Sequence, residues 1–318
     1  MPLPSSGAIS FNNINVELGL TATAQISLND SAVRTLFGVS SGAIAMNVGY
    51  GKSNAFLATI SSNQTNLNLR TWALANGWNG STAATITIGS GVWIYSTSTG
   101  TPALTTGSFP GGLTIINNGF IAGMGGAGGT STAPYTGLAG GNAISLGSIV
   151  TINNTNASAY IGGGGGGGGF FQGGGGAGGG NAGQQSGGGV GGGVGSAGTN
   201  GTGGASGGKG GGAGGGGGGQ AGSGKSTTGY PGGGGGRIFA GSGGAGGTAG
   251  GGAGGSANAG GGISSAAVSG GGGGGWGAAG GAAASGYAGG AGGKAVALNG
   301  YTVTWTSGNT TRVYGAVS

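Results

Sequence analysis

The stretch that decides the fold is YIGGGGGGGGFFQGGGGAGGG, residues 160–180, in which two glycine runs flank a short insert of larger residues. Similar runs at 207–219 and 270–281 follow, and 100 of the 318 residues are glycine. A flexible linker is the simplest interpretation of so much glycine. However, almost no charged residue lies in this region to keep a disordered chain solvated, and strand-like sequence follows it at 296–307. The glycine-rich region is therefore expected to be ordered.

Only one ordered state suits these runs. Collagen needs a Gly-X-Y period and abundant proline, whereas the chain has 6 prolines. Ordinary sheet fails because glycine offers no side chain to pack. Polyglycine II helices remain: they have about three residues per turn, and their peptide groups point outward to bond neighbouring helices. Because ordering glycine costs entropy, only a cooperative bundle of such helices would be stable.

The first 53 residues have a more ordinary composition and predict a small mixed module. Alternating apolar residues favour short half-buried strands at Ile9–Phe11 and Ile14–Leu18. An N-cap signal at Asn29-Asp30 predicts a short helix that buries Leu36 and Phe37 on one face. A module of this size buries too little apolar surface to be very stable alone.

Residues 54–118 predict β-structure. Apolar residues alternate at Ile86–Ile88 and at Val92–Ile94, with a glycine turn between these pairs. The tryptophans Trp72, Trp78 and Trp93 are interpreted as packing residues of this region.

The sequence contains an internal repeat: LTIINNGFIAGMGGAGG at 113–129 resembles VTINNTNASAYIGGGGGGGG at 150–169. Such a repeat predicts one structural unit laid beside its copy.

The chain ends with VALNGYTVTWTS at 296–307, where Asn299-Gly300 predicts a β-hairpin. The predicted fold is thus mostly β and non-regular, with a polyglycine II helix sandwich and a C-terminal β-hairpin. The predicted domains are a small N-terminal mixed module at 1–53, a β-rich connector at 54–118, the polyglycine II domain at 119–298 and a closing hairpin at 299–318.

The chemistry-bearing side chains are nearly absent. Cysteine and histidine do not occur, and the acidic residues are Glu17 and Asp30. General acid–base catalysis, activated nucleophiles and metal sites all need such groups. Glycoside hydrolysis in particular uses a pair of carboxylates. The sequence therefore predicts a protein that is not an enzyme and that uses no cofactor or metal.

Two binding motifs are better explained by composition. Residues 219–226 match the phosphate-binding pattern G-x-x-x-x-G-K-S, but glycine precedes the match and no acidic residue follows it. The eight Lys and Arg residues are scattered and do not form a basic stripe. Neither nucleotide nor nucleic acid is expected as a partner. No signal peptide or membrane-spanning stretch is recognised, so membrane insertion is not expected either.

The inserts between glycine runs carry the candidate recognition residues. Exposed aromatic side chains and Arg on rigid supports are typical of recognition surfaces. The alternative is that these residues shield the flanks or ends of the glycine lattice. The predicted receptor contacts are Tyr135, Phe170, Phe171, Gln172, Tyr230, Arg237, Phe239 and Trp276. Tyr160 and Tyr287 are further aromatic residues in these inserts.

Three segments resemble a known family. TITIGSGVWIYSTSTGTPALTTGSFPGGLTIINNGFIAGMGGAGG at 85–129 and the ending AGGKAVALNGYTVTWTSGNTTRVYGAVS at 291–318 are similar to bacteriophage tail-fibre-tip adhesins and related glycine-rich receptor-binding tail proteins. The opening GAISFNNINVELG resembles a module of assorted phage virion proteins, and is not the usual start of a fibre-tip adhesin.

The resemblance implies a polyglycine II sandwich whose distal loops bind a bacterial surface receptor, either an outer-membrane protein or a glycan. It also implies a protein made in the host cytoplasm and carried on the virion tail. The N-terminal module would dock on other phage tail proteins, and Ile9, Phe11, Leu36 and Phe37 are the predicted anchoring residues.

Other functions remain open at this point. A purely structural glycine-rich virion or cell-surface protein is the main alternative. An ice-binding polyglycine II protein would need regular triplets and a flat face of Thr and Ala, which the runs lack. Successive turns between glycine segments must point to opposite ends, so only one set of inserts can face a receptor.

Overall fold

The structure is a computed structural model of the whole chain. It describes residues 3–130, 135–170, 173–176, 252–256, 259–263, 270–306 and 310–318.

The N-terminal module is helical. Helix α1 spans Phe11–Glu17 and helix α2 spans Ser31–Phe37, and a short 3-10 turn follows at Met46–Gly49. The predicted helix α2 is confirmed, with Asp30 as its N-cap and Gly38 ending it at a φ of 71°. The core of the module consists of Leu3, Ile9, Ile14, Val33, Leu36 and Phe37.

The strands predicted at Ile9–Phe11 and Ile14–Leu18 were wrong. A capping box at Ser10 starts α1 instead: the Ser10 side chain accepts a hydrogen bond from the Asn13 N–H, and the Asn13 side chain accepts one from the Ser10 N–H. Ile14 and Leu18 lie four residues apart, on one helical face, and both pack in the module core.

Within the described residues, fourteen strands form three sheets, and all their pairings are parallel. Sheet A has the order β1-β4-β7-β10-β13, sheet B β14-β11-β8-β5-β2 and sheet C β12-β9-β6-β3. The strands are β1 Phe56–Ile60, β2 Gln64–Thr65, β3 Leu67–Asn68, β4 Ala84–Ile88, β5 Trp93–Tyr95, β6 Leu104–Thr105, β7 Leu113–Asn117, β8 Phe120–Ala122, β9 Ile144–Ser145, β10 Val150–Asn153, β11 Tyr160–Gly162, β12 Val296–Ala297, β13 Val303–Thr306 and β14 Val313–Tyr314.

The chain visits sheets A, B and C in turn and then returns to A, so the strands wind into a parallel β-helix. Five strands in sheet A mark five coils. Equivalent side chains stack in register inside it, as Ile86, Ile115 and Ile152 do in sheet A. All three are fully buried. Sheets A and B each contain strands from residues 54–118, 119–298 and 299–318, so these sequence regions share one core.

The C-terminal segment does not form the predicted hairpin. Strand β12 pairs with β9 in sheet C, whereas β13 pairs with β10 in sheet A. Asn299 and Gly300 do form a tight turn, with φ values of 51° and 85°. The turn redirects the chain from one sheet to the next, because each strand matches the apolar pattern of the preceding coil rather than that of its neighbour in sequence.

The prediction that the two copies of the internal repeat lie side by side is confirmed. Leu113 of β7 pairs with Val150 of β10, and Phe120 of β8 pairs with Tyr160 of β11. The register continues into the glycine that follows, since the Gly126 N–H donates to the Gly165 carbonyl at 2.8 Å.

Helix α3, Leu69–Ala75, is an insertion after β3 that alternation did not predict. The Asn68 side chain caps it by accepting a hydrogen bond from the Thr71 N–H. Leu69 and Ala73 join the β-helix core, and Trp72 packs against it from a partly buried position. Nearby, Trp78 is buried and stacks on Phe109 with ring centroids 4.3 Å apart.

Glycine-rich segments leave the β-helix at one corner, between sheets B and C. One excursion runs from 123 to 141, between β8 and β9; the other runs from 163 to 293, between β11 and β12. Their described parts form what we call the glycine bundle: 123–130, 135–141, 163–169, 173–176, 252–256, 259–263 and 270–293.

Candidate functional site

Residues 163–169 form the central segment of the glycine bundle, and all of them are buried. Hydrogen bonds leave this segment in several directions and repeat every three residues. Gly164 and Gly167 donate to Gly141 and Leu138 at 2.8 and 2.9 Å. Gly163, Gly166 and Gly169 donate in other directions, to Tyr314, Ala278 and Gly281, each at 2.9 Å.

Side chains have no room between these segments. A Cβ added at Gly164, Gly166 or Gly167 would lie closer than 3.0 Å to a neighbouring carbonyl oxygen. Along 123–130 and 288–294 the side chains fall every third residue and face outward. Met124, Ala127 and Thr130 are half-buried, and Ala288, Ala291 and Lys294 are exposed. Side chains are therefore confined to the flanks and ends of the bundle.

The two ends of the bundle differ in what they meet. The Gly277 N–H donates to Gly163, beside the β-helix, whereas the Gly271 N–H donates to Gly169, at the other end of the central segment. The turn at Trp276–Gly277 is thus proximal to the β-helix. Gly169 lies six residues further along the central segment, away from the β-helix. We call this far end of the bundle the distal end.

Three aromatic rings meet at the distal end. Phe170 stacks on Tyr287 with ring centroids 4.8 Å apart, and Tyr135 lies 5.1 Å from Tyr287 and 6.1 Å from Phe170. Tyr135 and Tyr287 are 38% and 37% exposed. We call these three residues the distal aromatic cluster. Two of the predicted contacts, Tyr135 and Phe170, are thereby brought together with Tyr287.

Phe170 adopts a backbone conformation that disfavours a bulky side chain. Its φ is 58°, in the left-handed region where glycine is normally preferred. The Phe170 carbonyl accepts a hydrogen bond from the Gly173 N–H. Such a conformation is held only where surrounding contacts determine it, and strained positions of this kind concentrate at functional sites.

Trp276 is a correction to the predicted contacts, because it is fully buried at the proximal end. It packs on Ala122 among the rings of Trp93, Tyr95, Phe120, Tyr160 and Tyr314. Burial raises the pKa of Tyr314. The neighbouring Tyr160 raises this pKa further, whereas Arg312 lowers it. Trp276 thus joins the glycine bundle to sheet B and does not face a receptor.

Trp276→Ala is therefore expected to act on stability. Removing a fully buried Trp costs about 3–5 kcal/mol, so the thermal unfolding midpoint should fall by several degrees. Tyr287→Ala, at an exposed ring, is the matched control and should leave the midpoint nearly unchanged. Equal midpoints for Trp276→Ala and the parent protein, measured by calorimetry, would contradict this assignment.

Sheet B carries an aromatic ladder on its outer face. Trp93 stacks on Phe120 with ring centroids 4.2 Å apart, and Phe120 stacks on Tyr160 at 5.9 Å. Tyr160 lies in strand β11, not in a loop as the sequence suggested. Trp93 packs here between strands, as predicted for the tryptophans.

The predicted anchoring residues have different environments. Ile9, Leu36 and Phe37 are buried in the core of the N-terminal module, and Phe11 is 43% exposed. A buried carboxylate joins this module to the β-helix: Glu17 Oε1 accepts hydrogen bonds from the Ser53 hydroxyl and the Asn54 N–H, both at 2.7 Å.

Several predicted positions lie outside the described residues: Phe171, Gln172, Tyr230, Arg237, Phe239 and the phosphate-loop match at 219–226. Among the described residues, no cluster of acidic, His or Cys side chains could hold a metal ion. No helix in that part of the chain is long and apolar enough to cross a membrane.

Comparison with known proteins gives the family. No curated protein sequence matches. The crystal structure of the gp37–gp38 adhesin tip complex of the bacteriophage S16 long tail fibre is similar at 19% identity over 99% of this chain and 100% of that chain, with a TM-score of 0.46. The model of the phage tail fibre adhesin Gp38 family matches residues 55–215, which is half of the chain. The chain therefore belongs to the Gp38 family of phage tail fibre adhesins.

Proposed function

We propose that this adhesin recognises a bacterial surface receptor through the distal end of a polyglycine II sandwich. The family gives the adhesin role and a location on the tail fibre of the virion. The observation that supports this location of the receptor site is the distal aromatic cluster. Its three rings lie together at the end of a bundle whose interior has no room for side chains.

Three observations support polyglycine II geometry for the bundle. Hydrogen bonds repeat every three residues, as in Gly123 to Gly162, Gly126 to Gly165 and Gly129 to Gly168. Bonds leave the central segment in several directions, which outward-pointing peptide groups allow. Within the described bundle, the glycines with left-handed φ values are Gly277 and Gly286, both at turns.

The receptor is either an outer-membrane protein or a glycan, and both remain compatible with an aromatic surface. Adsorption competition tests whether recognition resides in this protein: purified adhesin should block attachment of the phage to its host. A purely structural glycine-rich protein would not compete. The distal substitutions argued in the Discussion then locate the binding surface.

We further propose that the N-terminal module docks the adhesin on another tail protein. The similar structure is described as a complex of gp37 with gp38, and the same kind of partner suits this chain. The module has its own small core at 3–53, and it carries exposed apolar side chains at Phe11, Val16 and Leu20. Exposed apolar groups of this kind favour burial against a partner.

Deleting residues 1–53 should give particles that lack the adhesin, because the docking surface is lost. The remaining β-helix should keep its fold, since its core lies entirely between Ile60 and Val313. Immunoblotting of purified particles measures incorporation, and circular dichroism of the truncated protein checks its folding. Normal incorporation of the folded truncated protein would place the anchor elsewhere.

A further inference from the structure

The outer face of sheet A carries two rows of threonine that the adhesin function does not use. Side chains alternate along each strand, so every second residue faces outward. The strand register puts Leu57, Thr85, Thr114, Thr151 and Thr304 in one row, and Thr59, Thr87, Ile116, Asn153 and Thr306 in the other. We call these row one and row two.

Row one lies along a trough in the surface. One part, with a cavity volume of about 700 Å³, is lined by Thr85, Thr114 and Thr151 and ends at Tyr301. A second part of about 680 Å³ begins at Val16 and includes Leu57. Ala83, Thr85 and Gly111 line both parts, so the trough is continuous. No row-two residue lines either part.

The trough offers hydroxyl groups at a regular spacing. Neighbouring strands lie about 4.8 Å apart, so the five strands of sheet A span about 19 Å. The hydroxyls of Thr85, Thr114 and Thr151 have no hydrogen-bond partner within the described structure and remain available to a ligand. A hydroxyl both donates and accepts, which suits a ligand that does the same.

The trough is also almost uncharged. Among the described residues that line it, Glu17 is the single charged one, and it is buried with one carboxylate oxygen bonded to Ser53 and Asn54. Apolar contact comes from Ile149 and Tyr301, which are 64% and 41% exposed. The trough offers no opposite charge to an ionic polymer. A neutral ligand with alternating hydroxyl and C–H surfaces could hydrogen-bond the threonines and pack against the apolar side chains.

We propose that this trough binds a linear, neutral glycan chain. A pyranose unit is about as long as the spacing between strands, so successive sugars would meet successive threonines of row one. The ring of Tyr301 would pack against the apolar face of a sugar at one end. An extended peptide fits less well: β-strand addition needs a free sheet edge, and the trough lies on a sheet face whose backbone groups already pair between strands.

The test uses the full chain and substitutions that keep shape. The row-one variant is Thr85→Val, Thr114→Val and Thr151→Val; the control is Thr59→Val, Thr87→Val and Thr306→Val in row two. Valine is β-branched and favours strands, so both variants should fold. The probes are cellohexaose and maltohexaose, one β-linked and one α-linked neutral hexose chain, with binding measured by calorimetry and ligand-observed NMR.

The parent protein should bind at least one probe with a Kd below about 1 mM. The row-one variant should bind at least about tenfold more weakly, since each lost hydrogen bond weakens binding severalfold. The row-two variant and a variant without the distal aromatic cluster should bind like the parent. This last result separates the trough from the proposed receptor site.

Three outcomes would overturn the proposal. The first is that neither probe binds, and the second is that both threonine variants lose binding equally. The third is that the row-one variant binds the probes normally but is missing from purified phage particles, which would make the trough an interface with another tail protein.

Discussion

Replacing Gly167 with valine should abolish folding of the glycine bundle. A Cβ at this position would lie closer than 3.0 Å to the Ala127 carbonyl. The segments would have to separate, and the bonds from Gly167 to Leu138 and from Gly290 to Gly167 would break together. A buried polar group left unpaired costs about 1–3 kcal/mol, and several such groups rival a typical total stability of about 5–15 kcal/mol.

The measurements are the yield of soluble protein and amide hydrogen exchange. In the parent, the amides of residues 163, 164 and 166–169 should exchange slowly because each is buried and donates to a neighbouring segment. Ala291→Val is the matched control, since Ala291 is exposed at an outward-facing position of the same bundle. Folded Gly167→Val in normal yield, or fast exchange throughout 163–169 in the parent, would refute a close-packed polyglycine II bundle.

The sequence predicted the structural features that depend on residues close together in the chain. Asp30 occupies the N-cap position of α2, although its side chain makes no hydrogen bond to the helix, and Gly38 ends α2 in the left-handed conformation that glycine adopts readily. The repeat at 113–129 and 150–169 predicted adjacent copies because the same strand pattern precedes both glycine runs. The β-rich fold follows from the same alternation of apolar residues.

The β-helix was not predicted because its period is interrupted. Coils begin at Phe56, Ala84, Leu113, Val150 and Val303, and the glycine excursions separate the later ones. A repeat is recognised by regular spacing, which these insertions destroy. The hairpin prediction failed for a related reason: Asn299-Gly300 specifies a turn, but the partners of β12 and β13 lie far away in sequence.

The sequence predicted which types of residue would form the candidate site but not how they are arranged in space. Tyr135, Phe170 and Tyr287 are far apart in the chain, and only the register of the glycine segments brings their rings together. Trp276 lies at a turn of the same composition but at the opposite end. Which end a turn occupies depends on how many segments precede it, and composition does not encode that number.

Removing the distal aromatic cluster should abolish receptor binding without lowering stability. The proposed variant combines Tyr135→Ser, Phe170→Asn and Tyr287→Ser. Asparagine is chosen at Phe170 because it tolerates the left-handed backbone conformation better than most residues, so the turn should persist. Buried aromatic anchors each contribute about 2 kcal/mol or more at recognition surfaces, so losing three should weaken binding by more than about a thousandfold.

Purified protein in an adsorption competition measures this effect apart from assembly on the virion. The parent should block phage attachment, and the triple variant should fail to block it at the highest concentration tested. Phe11→Ser is the matched control: it removes an equally exposed ring from the N-terminal module, so its competition should equal that of the parent. If the triple variant folds with an unchanged unfolding midpoint and still competes fully, the receptor does not bind at the distal aromatic cluster.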